Sequence, residues 1–142
     1  MTQIDPPFLI GVDGGGTGCR AAVATPDGRI LAEGKGGRAN VSTDCATAID
    51  SVLTATRNAI ESAGLDVADM PRAVAHLGLA GYTGPEMGPR VQAGLPFAKS
   101  VVTEDTTTTI VGAVGEQDCH LIALGTGTIV GRQRAGVQTC IG

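Results

Sequence analysis

A short pattern near the start of the chain returns near its end: an apolar segment, a turn of glycine and threonine, then a second apolar segment. The first copy begins as LIGVDGGGT at residues 9–17, and the second begins as LIALGTGT at residues 121–128. Short apolar runs that stop at glycine are typical of buried strands. The repeat predicts a complete α/β domain at residues 1–117 and the opening hairpin of a second, incomplete domain at residues 118–142.

Three apolar runs at the start of the first unit predict strands. They occupy residues 8–13, 19–24 and 29–33 and are joined by turns too short to hold a helix, so we expect an antiparallel meander. Two later apolar runs, at residues 73–79 and 98–102, predict two further strands. The first unit is therefore expected to contain five strands.

Helices are expected between and after these strands. An N-cap among Ser42, Thr43 and Asp44 and a stop at Gly64 bracket the longest one. A short helix is expected near Pro85, and Asp105 is expected to cap another through Val114. The stripe of the long helix that should face the core consists of Ile49, Val52, Leu53, Thr56, Ile60 and Ala63.

Composition excludes several classes of function. The net charge is −4 and only three residues are aromatic, which argues against nucleic-acid binding. No apolar run approaches the roughly 18 residues of a membrane span, and the first ten residues lack the basic start of a signal peptide. The four widely spaced cysteines are then expected to be thiols of a cytoplasmic protein. An anionic ligand would be held by backbone N–H groups or a metal ion, and the 22 glycines suit the former.

The segment Asp13-Gly14-Gly15-Gly16-Thr17 is the strongest candidate phosphate loop. Glycines let consecutive backbone N–H groups approach a phosphate, Thr17 adds a hydroxyl donor, and Asp13 can hold Mg²⁺ through water. It is neither a Walker A loop, which requires a lysine, nor a Rossmann fingerprint, which opens a helix. An ordinary glycine-rich hairpin turn is the competing interpretation.

Four further positions are candidates of lower specificity. The segment Gly125-Thr126-Gly127-Thr128 can bind a triphosphate from the side opposite the first loop, or it can be a plain hairpin turn. Asp105, just past a strand, can accept a proton from an attacking hydroxyl, or merely cap a helix. Asn40 has an amide suited to sugar hydroxyls, although a loop asparagine is often only a turn residue. Gly81 ends the segment GLAG, where a ligand can approach the backbone.

Taken in order, the segments GVDGGGT, GGRAN, GLAG, TED and LGTGT resemble the motifs of the BadF/BadG/BcrA/BcrD ATPase family. Its N-acetylglucosamine and glucosamine kinase members are the most similar. The resemblance covers the whole chain and implies a ribonuclease H-like, actin-like ATPase domain with a mixed five-stranded sheet. It also implies a polypeptide about twice as long, so we expect the second domain to be truncated here and this chain alone to be inactive.

The resemblance further implies ATP-dependent phosphorylation of an amino sugar at its 6-hydroxyl, with ATP and Mg²⁺ between two domains. It leaves open a homodimer, an activator ATPase that couples hydrolysis to electron transfer, and a non-catalytic binding module. The roles it implies are phosphate binding by Gly14, Gly15, Gly16, Thr17, Gly125 and Thr126, Mg²⁺ binding by Asp13, sugar binding by Asn40, Gly81 and Thr128, and catalysis by Asp105 as base on the sugar.

Overall fold

The computed structural model describes residues 6–105, 119–124, 128–135 and 137–140. In chain order its elements are β1 (Leu9–Gly14), β2 (Cys19–Ala24), β3 (Ile30–Gly36), α1 (Cys45–Ser62), a 3₁₀ helix (Val67–Arg72), β4 (Val74–Leu79), a 3₁₀ turn (Pro85–Met87), α2 (Gly88–Gln92), β5 (Lys99–Glu104), β6 (Cys119–Leu124), β7 (Thr128–Arg134) and β8 (Val137–Cys140). Within these described ranges no helix is long and apolar enough to cross a membrane.

The first five strands form one mixed sheet in the order β3-β2-β1-β4-β5. The pairs β1–β2 and β2–β3 are antiparallel, whereas β4 is parallel to both β1 and β5. The expected meander and the mixed five-stranded sheet are thereby confirmed. Because β1, β4 and β5 run in the same direction, their carboxyl ends meet at one edge, where the hairpin between β1 and β2 also lies.

Helix α1 packs against one face of this sheet. Its N-cap is Asp44, whose side chain accepts a hydrogen bond from Thr47 N, and Gly64, at a φ of +72°, follows its C-cap. Both ends therefore agree with the expected bounds. The buried face is only partly the expected one, because Ile49, Leu53 and Ala63 are merely half-buried. The residues of α1 that are buried are Ala48, Ser51, Val52, Ala55, Thr56, Ala59 and Ile60.

Two glycines of β3 explain why small residues form that face. A Cβ atom on Gly34 would overlap the backbone of Ala55 and Ala59, and one on Gly36 would overlap the carbonyl oxygen of Ser51. The helix backbone therefore lies directly on the strand backbone. The thiol of Cys19 donates to the same Ser51 carbonyl oxygen at 3.3 Å. A helix this close to a sheet accommodates alanine and serine between the two, and larger side chains pack at the flanks.

The core between α1 and the sheet contains one orphaned polar atom. Thr56 is fully buried, and its Oγ1 finds no hydrogen-bond partner among the described residues. The largest fully buried apolar side chains of the described residues include Phe8, Ile60 and Leu77. Each of these stabilises the fold by about 1.5–3 kcal/mol through burial alone. The buried hydroxyl of Thr56 lowers the stability of the fold, because burial removes its hydrogen bonds to water and no described group replaces them.

The last three strands form a second sheet in the order β6-β7-β8, antiparallel throughout. The strand–turn–strand expected from the second copy of the repeat is thus present as β6 and β7. The third strand, β8, was not expected, because its four residues carry no run of apolar character. The division into domains at residues 1–117 and 118–142 stays a prediction. Apart from Asp105, the helix expected from Asp105 through Val114 lies outside the described residues.

Candidate active site

Three chain segments meet at the sheet edge where β1 and β4 end, and backbone hydrogen bonds join them. Ala80 N donates to Gly14 O at 2.7 Å, and Ala39 N donates to Gly15 O at 2.9 Å. Val41 N in turn donates to Ala80 O at 3.0 Å. The glycine hairpin, the segment before α1 and the segment after β4 therefore form one hydrogen-bonded assembly, which we call the edge assembly.

The glycine hairpin presents its tip to solvent. Gly15 N donates to Gly18 O at 2.9 Å, so this N–H closes the turn. Gly16 and Thr17 form the exposed tip, and neither backbone N–H has a partner within the part of the chain that the structure describes. Two adjacent unpaired donors without a neighbouring obstruction suit an anionic oxygen.

Gly14 has a packing role at the base of the hairpin. It is buried, and a Cβ at this position would lie 2.7 Å from Leu79 Cδ2 and 2.9 Å from Ala39 Cβ. A larger residue would therefore push apart the edge assembly. Of the three consecutive glycines, Gly14 is explained by packing, whereas Gly16 has open space around its Cα.

Asp13, at this edge of the sheet, has a carboxyl group with a raised pKa. Partial burial raises the pKa of its carboxyl group, the nearby charge of Asp105 raises that pKa further, and Arg20 opposes both. Arg20 stands directly opposite Asp13 in the pairing of β1 with β2. Asp13 and Asp105 are thus close enough to repel each other, although they come from strands separated by β4 in the sheet order.

The two carboxylates fit a magnesium site. Mg²⁺ is usually bound through one or two carboxylates, with waters and substrate phosphate oxygens completing its shell. A pair whose mutual repulsion raises a pKa is stabilised by a divalent cation between or beside its members. Asp13 is the residue expected to hold the ion. Asp105 directly follows β5 and is half-buried. Its expected role as a helix N-cap stays a prediction, because residues 106–118 lie outside the part of the chain that the structure describes.

Asn40 lies in the edge assembly beside Gly81. It forms an isolated parallel bridge with Ala80, and its side-chain oxygen accepts hydrogen bonds from the backbone of Ser42 and Thr43. The turn-residue interpretation of Asn40 is therefore correct, and it is compatible with a sugar contact. Gly81 has a φ of +77°, and a Cβ there would overlap the Asn40 oxygen.

The structure brings most of the predicted site residues to one edge. The residues that lie within, or a few positions after, the strand ends at that edge are Asp13, Gly14, Gly15, Gly16, Thr17, Asn40, Gly81 and Asp105. Gly125 and Thr126 lie outside the described residues, and Thr128 is described only as the first residue of β7. The sequence did not indicate that Ser42 supports Asn40; the signal was its position two residues later, typical of an Asx turn.

The strand order, the parallel pair β1–β4 and the glycine hairpin define a ribonuclease H-like domain of the actin-like ATPase class. The chain matches the sequence profile of the BadF/BadG/BcrA/BcrD ATPase family over residues 10–141, and it belongs to that family. Among curated proteins it is 34% identical over 137 residues to the glucosamine kinase GspK of Vibrio cholerae.

Solved structures place the fold in the same group. A provisionally named N-acetylglucosamine kinase from Chromobacterium violaceum superposes with a TM-score of 0.85 at 34% identity. A ROK family glucokinase from Streptomyces griseus, solved with glucose and AMPPNP, superposes with a TM-score of 0.66 at 24% identity and so supports the fold alone. These comparisons cover 95% and 93% of this chain and 48% and 46% of those chains.

The chain spans about half the length of the relatives that it matches. The curated match covers 95% of this chain, whereas the chain spans only 46% of that relative.

Proposed function

We propose that this chain belongs to an ATP-dependent sugar kinase that phosphorylates N-acetylglucosamine or glucosamine at the 6-hydroxyl. The observation that carries the proposal is the edge assembly, whose backbone hydrogen bonds hold the Asn40 segment against the glycine hairpin. A phosphate at the hairpin tip and a sugar at Asn40 would then be neighbours, with Asp13 and Asp105 at the same edge. Similarity to proteins named glucosamine kinase and N-acetylglucosamine kinase supports the choice of substrate.

The chain's own residues divide the work of phosphoryl transfer. The N–H groups of Gly16 and Thr17 bind phosphate oxygens at the hairpin tip, and Asn40 orients the sugar. Asp105 accepts the proton of the attacking hydroxyl, which its position directly after β5 supports. Mg²⁺, held by Asp13, supplies neutralisation of phosphate charge when bound. In such a reaction the protein contributes positioning and electrostatics and forms no covalent bond to the substrate.

The second hairpin would supply further contacts to the phosphates and the sugar. Gly125 and Thr126 would contact the phosphates from the other side, and Thr128 would lie near the sugar. A cytoplasmic location is part of the proposal because Cys19 and Cys45 are free thiols. A homodimer remains a prediction from the resemblance.

The test is a coupled ADP-release assay on the full-length gene product with glucosamine, N-acetylglucosamine and glucose. We expect release that depends on one of the amino sugars. Absence of a sugar-dependent signal with all three would refute the kinase proposal. A brown protein absorbing near 400 nm under anaerobic conditions would instead support the activator ATPase, which requires an iron–sulfur cluster.

One variant tests the role of Asp105 as general base separately from the binding of ATP. Asp105→Asn should lower kcat by about 100-fold or more while ATP still binds, since general-base catalysis contributes on that scale. Asp27→Asn is the matched control, because Asp27 lies in the β2–β3 turn at the opposite end of β2. Turnover preserved in Asp105→Asn would refute the assignment of the base and leave the kinase proposal standing.

A further inference from the structure

The hydrogen bonds of Asn40 use up its side-chain oxygen. Oδ1 accepts from Ser42 N at 3.0 Å, from Ser42 Oγ at 2.9 Å and from Thr43 N at 3.1 Å. Two of these donors are backbone N–H groups, which cannot accept, so the atom that faces them must be the oxygen of the amide. A carbonyl oxygen offers two lone pairs, and three donors leave it no capacity for a ligand.

Gly81 holds this orientation in place. Its Cα lies so close to Asn40 that a Cβ would overlap Oδ1 and would come within 2.7 Å of Ser42 Oγ. The side-chain oxygen is thus enclosed between its own turn and the segment after β4. The amide nitrogen, Nδ2, makes no hydrogen bond to any described residue, and Asn40 is only half-buried. What Asn40 offers to a ligand is therefore a pair of N–H donors.

We propose that Asn40 is a donor-only specificity residue, which recognises the acetamido carbonyl oxygen of N-acetylglucosamine and disfavours an ammonium group at the same position. This inference rests on the proposed sugar kinase function and deepens it. The carbonyl oxygen of an acetamido group can only accept hydrogen bonds, whereas a sugar hydroxyl can also donate. The ammonium group of glucosamine only donates, so facing Nδ2 it would meet two donors and no acceptor.

Asn40→Asp tests the direction of the hydrogen bond. Aspartate has the same size and keeps an oxygen for Ser42 and Thr43, but it replaces both Nδ2 donors with a second acceptor. We expect the KM for N-acetylglucosamine to rise about 10- to 100-fold with kcat changed less, because the acetamido oxygen, which cannot donate, then faces an acceptor. The thermal unfolding midpoint should stay close to that of the wild type, since the turn is preserved.

Asn58→Asp is the matched control. It makes the same chemical change on α1, where Asn58 Nδ2 donates to Lys35 O at 3.0 Å against β3. The KM for each sugar should stay within about twofold of the wild-type value in this variant. A fall in affinity caused only by added negative charge on the protein would appear in both variants and would overturn the proposal.

The choice of sugar tests whether the contact is to the acetamido oxygen. If Asn40 instead faces a hydroxyl, that hydroxyl can donate to the new carboxylate, so the KM for N-acetylglucosamine changes little and the proposal is overturned. If it binds the acetamido oxygen, the KM rises for N-acetylglucosamine alone and falls for glucosamine, whose ammonium gains a carboxylate. A KM for N-acetylglucosamine within twofold of the wild-type value overturns the proposal. A wild-type enzyme that ignores every sugar refutes the kinase function itself, so the two failures are distinguishable.

A second measurement leaves the residue unaltered. Titration of the ¹⁵N-labelled wild-type protein with N-acetylglucosamine should shift the two Asn40 side-chain amide protons downfield, as donation to oxygen does. Sugar binding that moves other resonances but leaves these two in place would overturn the proposal, whether or not the Asn40→Asp variant folds.

Discussion

Glycine is present in β3 and in the β1–β2 hairpin for different physical reasons. Gly34 and Gly36 are needed because α1 lies against their backbone and leaves no volume for a Cβ. Gly16, at the hairpin tip, has no atom within 4 Å of where its Cβ would be. The high glycine content of the chain therefore does not by itself indicate a ligand loop. Part of it serves the contact between helix and sheet.

The largest expected effect tests the β3 side of this comparison. Gly34→Ala and Gly36→Ala should each lower the free energy of unfolding by about 3 kcal/mol, because the added methyl group meets helix backbone rather than a movable side chain. Chemical denaturation measures the loss. Gly16→Ala is the control and should change stability by less than about 0.5 kcal/mol. Equal losses in all three variants would mean that the two regions do not differ.

Gly81→Ala should have the next largest effect, because it combines backbone strain with a steric overlap. Its φ of +77° is unfavourable for alanine, and the new Cβ would displace the Asn40 oxygen. We expect a loss of about 2 kcal/mol of stability. Gly28→Ala provides the comparison, since Gly28 has a φ of +95° and open space around it. A loss no larger than that of Gly28→Ala would show that strain alone accounts for Gly81.

Thr56→Val should stabilise the interface that Gly34 and Gly36 make possible. The change keeps the shape of the side chain and removes the buried hydroxyl that lacks a partner among the described residues. We expect the free energy of unfolding to rise by about 1 kcal/mol. Denaturant unfolding at neutral pH measures it, and a destabilised variant would show that the hydroxyl is hydrogen-bonded after all.

A smaller effect concerns the charge at the base of the hairpin. Because the pKa of Asp13 is raised on folding, its ionised form destabilises the native state once the pH exceeds the unfolded value of 3.8. Asp13→Asn should therefore raise the unfolding midpoint at neutral pH. Since solvent still reaches this partly buried carboxylate and screens its charge, the gain should be a fraction of 1 kcal/mol, and it should vanish as the pH falls through the folded pKa towards 3.8.

Asp44→Asn should show the opposite sign. Its pKa is lowered mainly by the hydrogen bond from the backbone of Thr47, so its contribution is present above 3.8 and lost as the pH falls through the folded pKa. The variant should unfold at a lower temperature at neutral pH, with the difference narrowing in acid. Parallel pH profiles for the two variants would contradict at least one of the two pKa directions.

Local patterns in the sequence predicted most of the fold. The bounds of β2 and the ends of α1 follow from turn and cap residues that act within a few positions. The buried face of α1 could not be predicted in the same way, because it depends on Gly34 and Gly36 in another element. Ile49 illustrates this, since its half-buried side chain lies against Gly94, which follows α2.

The candidate site, too, could be predicted only in part from local sequence. Its members were recognisable because aspartate, glycine and asparagine at strand ends are typical of phosphate and sugar contacts. The direction in which Asn40 presents its amide was not predictable. It depends on the approach of Gly81, which is 41 positions away in the sequence and adjacent only after β4 has paired with β1.

The peptide groups around Ala80 have a consequence for exchange with solvent. Its N–H is bound to Gly14 and its carbonyl oxygen to Val41, so one residue secures both neighbouring segments. In deuterated water the amide protons of Ala39, Val41 and Ala80 should accordingly be lost in a single concerted opening. Whatever opens one of these segments would then open the other.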